Sequence, residues 1–205
     1  MLEDYIFCFD NQECVQIKKI NPLSNVKVFK PPYFDIVKKN NMDNILIIVP
    51  LIIFSNENIL DRSFKLLDLI IKNYKNKKIR IRFHPREKKD NINNFFSKIK
   101  LIEKNLYIIN HQVEGIIKSV EKASVVIGGS SGALRIAALS NLNINVFGIE
   151  DFVTKSFWGK PISLGDTNKY INWVDENFDF MNIKKNNNKN HFNYYENWDN
   201  FLVDL

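Results

Sequence analysis

Hydrophobic and polar positions fall in blocks along the chain, and the period of the pattern switches from block to block. Asn44-Ile-Leu-Ile-Ile-Val49 is an almost unbroken run of β-branched and apolar residues, the pattern of a strand buried on both faces of a parallel sheet. Apolar residues then recur at 60, 64, 67, 70 and 71, a spacing that predicts a helix over Leu60 to Tyr74. The alternation continues with a strand over Lys78 to His84, a helix over Asp90 to Ile99 and a strand over Leu106 to Ile109. A helix over Val113 to Lys122, a strand over Ser124 to Ile127, a helix over Ser131 to Ser140 and a strand over Ile144 to Gly148 follow. Pro161 to Leu164 reads as one more short strand, and Asn168 to Phe178 as a helix. Upstream, 5–9 and 26–29 read as short strands, and Pro31-Pro32 as a connector because neither proline donates to a ladder.

Strands separated by helices of about ten residues imply βαβ units. The expected fold class is therefore α/β, a Rossmann-like parallel sheet with helices on both faces. Three regions are expected: 1–43 as the remnant of an N-terminal domain with its linker, 44–180 as the Rossmann-like ligand-binding domain, and 181–205 as a tail. The tail opens with the low-complexity run Lys184 to Asn190 and ends in aromatic residues that predict a short docking helix.

Composition narrows the class. With 205 residues, 45% of them hydrophobic and 16 of them Phe, the chain can bury a real core and is not a disordered segment. Two cysteines, Cys8 and Cys14, make neither a disulfide framework nor a closed zinc site, so a reducing cytoplasm is the simplest compartment. No run reaches the ~18 apolar residues of a membrane helix, and the acidic opening Met1-Leu2-Glu3-Asp4 is not that of a signal peptide. The net charge of +6 favours anionic partners: a nucleotide, a phosphate or an anionic membrane surface. Nucleic acid is disfavoured because the basic residues are dispersed and form no recognition motif.

In open α/β sheets, ligands bind beyond the carboxyl ends of the strands, so the residues following each strand are the candidates. After 124–127 comes Gly128-Gly129-Ser130-Ser131. One serine there would read as a helix N-cap. The quartet reads as a phosphate site, with glycines expected at positive φ, free N–H groups at a helix start and two hydroxyl donors. It is no P-loop, since the Gly-Lys-Ser/Thr element is missing. The strand 78–84 alternates Ile79, Ile81 and Phe83 on one face with Arg80, Arg82 and His84 on the other. His84, followed by Pro85 and Arg86, is placed to donate to a phosphate oxygen or to protonate a leaving group. Glu114 reads equally as a helix-dipole carboxylate or as a holder of ribose hydroxyls. Asn110 and His111 are candidate contacts to a base. Glu150 and Asp151 read as a solvated turn. The three histidines, at 84, 111 and 191, have no metal-ligand spacing.

The His84-Pro85 pair after a strand, the paired Ser130-Ser131 starting 46 residues after His84, and Glu114 between them resemble the motifs of bacterial sialyltransferases and related capsule glycosyltransferases of the GT-B fold. The resemblance spans about 44–150 and implies the donor-binding half of such an enzyme. It implies a donor activated by CMP, above all CMP-sialic acid, with transfer to a cell-surface glycan. Kdo or glycerol-phosphate transfer from another cytidine-activated donor is the neighbouring alternative, and a non-catalytic nucleotide-binding module is a further one. His84 is implied as the catalytic group, Ser130, Ser131, Gly129 and Arg86 as phosphate contacts, and Glu114 as the ribose contact. No metal or other cofactor is implied. The family's catalytic base, two acidic residues followed by glycine, has no match here, since Tyr5 follows Glu3-Asp4. A separate acceptor domain or a second copy of the chain is therefore an expected partner, with the protein cytoplasmic and peripheral at the inner membrane.

Overall fold

The computed structural model describes residues 5–8, 11–28, 43–49, 57–74, 76–98, 106–140, 144–149 and 165–174. The expected strand at 161–164, Glu150, Asp151, Pro31-Pro32 and the whole segment 181–205 lie outside the described residues.

Six strands form one wholly parallel sheet: β3 (Asn44–Val49), β4 (Lys78–Phe83), β5 (Leu106–Ile108), β6 (Ala123–Gly128), β7 (Asn145–Ile149) and β8 (Asn172–Val174). Their spatial order is β5-β4-β3-β6-β7-β8. Counted from β3 as the first strand, this is the 3-2-1-4-5-6 order of a Rossmann sheet. β3 lies between β4 and β6, and all six of its residues are buried, which is why its sequence carries no polar face.

Helices cover both faces. Ile45, Ile47 and Val49 point to the side taken by α2 (Glu57–Asn73) and α3 (Lys89–Lys98), where Leu67, Ile70, Ile71 and Phe95 complete the core. Phe83 meets Phe95 edge to face, with ring centroids 5.2 Å apart, and so pins α3 over β4. Leu46 and Ile48 point to the other side, against Val120 of α4 (Ile116–Glu121) and Leu134, Ala137 and Ala138 of α5 (Gly132–Leu139). Small residues on the inward stripe of α5 let this helix lie close to the sheet.

Two elements differ from expectation. Of the segment 168–178 expected to be a helix, the described part ends a 3-10 helix, Gly165–Tyr170, and then forms β8, while 175–178 lie outside the described residues. The run Asn172-Trp-Val174 is aromatic and β-branched, and it pairs in parallel with β7, Gly148 opposite Trp173. Sheet extension thus overrides a short helical spacing. In the N-terminal region, β1 (Tyr5–Cys8) and β2 (Asn25–Val28) pair in parallel around an unforeseen helix, α1 (Asn11–Ile20). Helix α1 buries none of its residues, so it shows no clean apolar stripe in the sequence. Glu13 of α1 pairs with the buried Arg135 of α5 at 3.4 Å and ties this βαβ unit to the main sheet. Cys8 and Cys14 are joined by a disulfide, a local link within the same unit. No helix among the described residues is long and apolar enough to cross a membrane.

Candidate functional site

Because all six strands run the same way, every strand's carboxyl end lies on one edge of the sheet. The order of strands reverses between β3 and β6, and such a switch point opens a crevice at that edge. Gly129, Ser130 and Ser131 follow β6 directly, at this position. His84 follows β4, on the far side of β3. Val49 of β3 pairs with Phe83, and Ile48 with Gly128. His84 and Gly129 therefore stand two strands apart, about 10 Å between backbones. Asn110 and His111 follow β5, one strand beyond His84. The sequence-predicted residues Gly129, Ser130, Ser131, His84, Arg86, Asn110, His111 and Glu114 thus belong to the connections on one edge.

The serine turn is built for both packing and capping. Ser131 is the N-cap of α5: its backbone is extended, its Oγ accepts from the Leu134 N–H at 3.2 Å, and its carbonyl accepts from the Arg135 N–H at 3.0 Å. A hydroxyl that accepts in this way keeps its own O–H to donate. Ser130 is buried, 3% exposed. Gly128 does not take the positive φ expected of it; its missing side chain serves close strand packing. A Cβ there would lie 3.0 Å from Ile48 Cβ and 3.1 Å from the Ile48 carbonyl oxygen. Gly132, at the first position of α5, faces open space. Replacement of Ser131 by Ala is expected to cost about 1 kcal/mol in urea unfolding, and by Gly only a few tenths. A bound phosphate would lose affinity equally in both, so the pair of variants separates capping from ligand contact.

His84 opens a tight turn. The Glu87 N–H donates to its carbonyl at 2.9 Å, and the Arg86 N–H donates to its Nδ1 at 3.1 Å. With Nδ1 accepting, the neutral ring carries its proton on Nε2. Although His84 is largely exposed, the partial desolvation of its imidazole pushes it below its ordinary pKa of 6.5, and the positive charge of Arg86 and the nearby His111 push the same way against Glu87. At neutral pH the group is an uncharged Nε2–H donor. That suits hydrogen bonding to an anionic oxygen better than delivery of a proton.

Glu114 anchors a charge network that the sequence showed only in part. Its Oε1 accepts from Arg80 Nη2 at 2.6 Å and from Ser119 Oγ at 2.8 Å, and its Oε2 accepts from Lys122 Nζ at 2.6 Å. Arg82 Nη1 donates to the Glu114 carbonyl at 2.7 Å and to Ser119 Oγ at 3.2 Å. Burial alone would raise the carboxyl; the hydrogen bonds from Lys122, Arg80 and Ser119 outweigh it and hold the pKa down to about 2. Glu114 therefore sits before α4, whose N-cap is Gly115, as the counter-ion of buried cations rather than as a dipole carboxylate. The signal lay in Arg80 and Arg82, since arginines on an inner strand demand partners. Asn110 shapes the same connection. Its Oδ1 accepts from the Gln112 N–H, and its carbonyl accepts from the N–H groups of Val113 and Glu114. His111 and Arg86 are exposed. Among the described residues, no three His, Cys, Asp or Glu side chains are grouped to hold a metal ion.

No protein-family model matches the chain, and no curated protein matches it. Solved structures do. Thermosulfurimonas dismutans KpsC, a beta Kdo 2,4 transferase, aligns at 12% identity with a TM-score of 0.38 over 67% of this chain and 42% of its own. TarM aligns at 16% identity and 0.42 over 80% of this chain and 34% of its own. A point mutant of S. aureus TarM in complex with fondaparinux, alpha-GlcNAc-glycerol and UDP gives 16% and 0.39 over the same shares, 80% and 34%. The chain thus spans between a third and about two fifths of the structures it matches. Similarities of this size do not assign a function.

Proposed function

We propose that this chain is the donor-binding half of a GT-B glycosyltransferase that transfers sialic acid from CMP-sialic acid to a cell-surface glycan. The observation that carries the reading is the placement of the Gly129-Ser130-Ser131 turn at the switch point of the sheet, with the Nε2–H of His84 on the same edge two strands away. In this reading the backbone N–H groups and hydroxyl donors of the turn receive the nucleotide's phosphoryl group. His84 donates to a non-bridging oxygen as negative charge builds on the departing CMP. Arg86 adds positive charge at the same edge. Asn110 and the 110–114 turn border the space for the nucleoside, and Glu114 holds that turn in place. The same chemistry would serve Kdo or glycerol-phosphate transfer from a cytidine-activated donor. In this reading the protein acts in the cytoplasm, at the inner face of a membrane.

A second reading, a nucleotide-binding module without catalysis of its own, is favoured by the engagement of Glu114 and Glu87, the carboxylates on the two turns that follow β5 and β4. Glu114 is committed to Arg80 and Lys122. Oε1 of Glu87 accepts from the Lys88 N–H and from Asn91 Nδ2. In that reading Glu114 is not the general base for an acceptor hydroxyl.

The test is thermal and urea unfolding with CMP, CDP and UDP. CMP at a hundred times its dissociation constant is expected to add about 2.7 kcal/mol of stability. His84→Ala, at an exposed position, is expected to fold normally and to bind CMP roughly 10-fold or more weakly, the worth of one hydrogen bond to a charged group. No stabilisation by either cytidine nucleotide, with His84→Ala indistinguishable from the wild type, would reject the proposal. Donor competition among CMP-activated sugars then identifies the sugar, and turnover with added acceptors decides between enzyme and module.

A further inference from the structure

The N-terminal βαβ unit carries both cysteines of the chain, and the candidate nucleotide site uses neither. Cys8 is the last residue of β1, and Cys14 lies in the first turn of α1. Their Cα atoms are 6.0 Å apart, a span that a disulfide bridges without moving the backbone. The two residues differ in access. Cys8 is 3% exposed, whereas Cys14 is half-buried, so a thiol from solution meets Cys14 first. Cys8 Sγ also stands 3.4 Å from the Lys27 carbonyl oxygen on β2. In the disulfide that sulfur has no hydrogen to give; as a thiol it donates one to this oxygen, weakly. The pairing of β1 with β2, Phe7 opposite Lys27, holds the acceptor in place in both states. The unit thus accommodates the reduced pair as well as the bonded one.

The residue before Cys14 reaches the main sheet. Glu13 accepts from Nη1 of the buried Arg135 on α5 at 3.4 Å, and the Arg135 N–H donates to the Ser131 carbonyl of the serine turn at 3.0 Å. Helices α1 and α5 also lie against the same 3-10 helix, Gly165–Tyr170. Because α1 buries none of its residues, little apolar packing fixes it, and the disulfide is its cross-link to β1.

We propose that Cys8–Cys14 is a thiol-exchange site for a low-molecular-weight thiol, and that its redox state sets how firmly α1 braces α5 beside the serine turn. A thiolate attacks Cys14 Sγ, the S–S bond breaks, and its electron pair leaves on Cys8 Sγ, which takes up a proton. A second thiol attacks the mixed disulfide and frees Cys14, so two small thiols are oxidised to their disulfide as the protein's disulfide is reduced. Reduction releases the first turn of α1 from β1, and Glu13 with it. Only the setting, a compartment where disulfides are transient and redox-sensing, rests on the reading above.

The experiment follows the full chain in glutathione buffers stepped from oxidising to reducing. Alkylation and mass spectrometry count the free thiols, and NMR reads hydrogen exchange at the α5 amides. The pair is expected to open within the series, with the first glutathione adduct on Cys14. The Leu134 and Arg135 amides are expected to exchange roughly 5-fold faster in the reduced chain, the order of one partly buried ion pair. Cys14→Ser should exchange like the reduced chain in every buffer. Glu13→Gln should exchange faster already when oxidised and gain little more on reduction, because both changes act on one contact. A pair that stays closed throughout, an adduct only on Cys8, or α5 exchange that is equal in both states overturns the proposal. So does an undiminished further gain on reduction in Glu13→Gln. CMP titrated against both forms tests the donor reading separately. If neither form binds it, that reading falls, and the thiol and exchange measurements still decide the switch.

Discussion

Replacement of Glu114 by Gln is expected to remove about 3 kcal/mol of stability at pH 7, the cost of leaving buried cations without their counter-ion. The side chain is 15% exposed, and Arg80, against it, is 10% exposed. Glutamine keeps the shape but takes away the charge that faces Arg80 and Lys122, and it offers one acceptor oxygen where the carboxylate offered two. The sign with pH follows from the direction of the shift. Glu114 titrates at about 2 in the folded chain, against an ordinary 4.5, so its contribution is complete above that ordinary value. It is lost as the pH falls toward about 2, because the unfolded chain takes up the proton first. The gap is worth roughly 3 kcal/mol at about 1.4 kcal/mol per unit. Urea unfolding of wild type and Glu114→Gln between pH 7 and pH 2 should give two curves that converge as the acid side is approached. Parallel curves would show that the carboxylate is not the group that holds this network. The variant also reaches the ligand side of the protein, because Glu114 closes the turn that carries His111.

Much of this architecture is legible in the residues, and the parts that are not share a cause. Runs such as Asn44–Val49 and Ala123–Gly128 are apolar at both parities, and a strand with covers on both faces has no other pattern. The edge that collects His84, His111 and the serine turn follows from parallel strands alone. Features set by contacts between distant segments are harder to read. Helix α1 earns its place through a βαβ crossover and one ion pair to Arg135, and its own sequence has no buried stripe. The segment 172–174 becomes a strand only because β7 offers an open edge. Glu114 is visible as an acidic residue before a helix. Its three donors lie 34, 5 and 8 positions away in the chain, so their convergence on one carboxylate is a tertiary fact. The Gly-Gly pair is the instructive case: Gly128 reads as turn chemistry, and β3 is what requires it to lack a side chain.

The same logic makes Gly148 the most sensitive glycine of the sheet. It lies on β7 opposite Trp173 of β8, and the indole covers the space where a side chain would stand. A Cβ at 148 would sit 2.5 Å from Trp173 Cε3, 2.6 Å from Cζ3 and 2.8 Å from Ile171 Cγ2. These are separations that no packed carbon adopts, and the obstacles are a rigid ring and a β-branched side chain that is itself 6% exposed. The strain cannot be relieved at a flexible tip, so either β8 moves away from β7 or the indole leaves its site. Gly148→Ala is expected to destabilise the chain by about 2–3 kcal/mol, the upper range of overpacking, and Gly148→Val by more. Trp173→Leu should recover part of the loss in the double variant, because the two positions are in contact and their effects do not add. Gly132→Ala is the control: its Cβ meets open space, and it should be neutral or stabilise by up to about 1 kcal/mol. Urea midpoints for the four variants decide the matter. If Gly148→Ala unfolds at the wild-type midpoint, β8 does not lie against β7 through this contact, and the sheet ends one strand sooner.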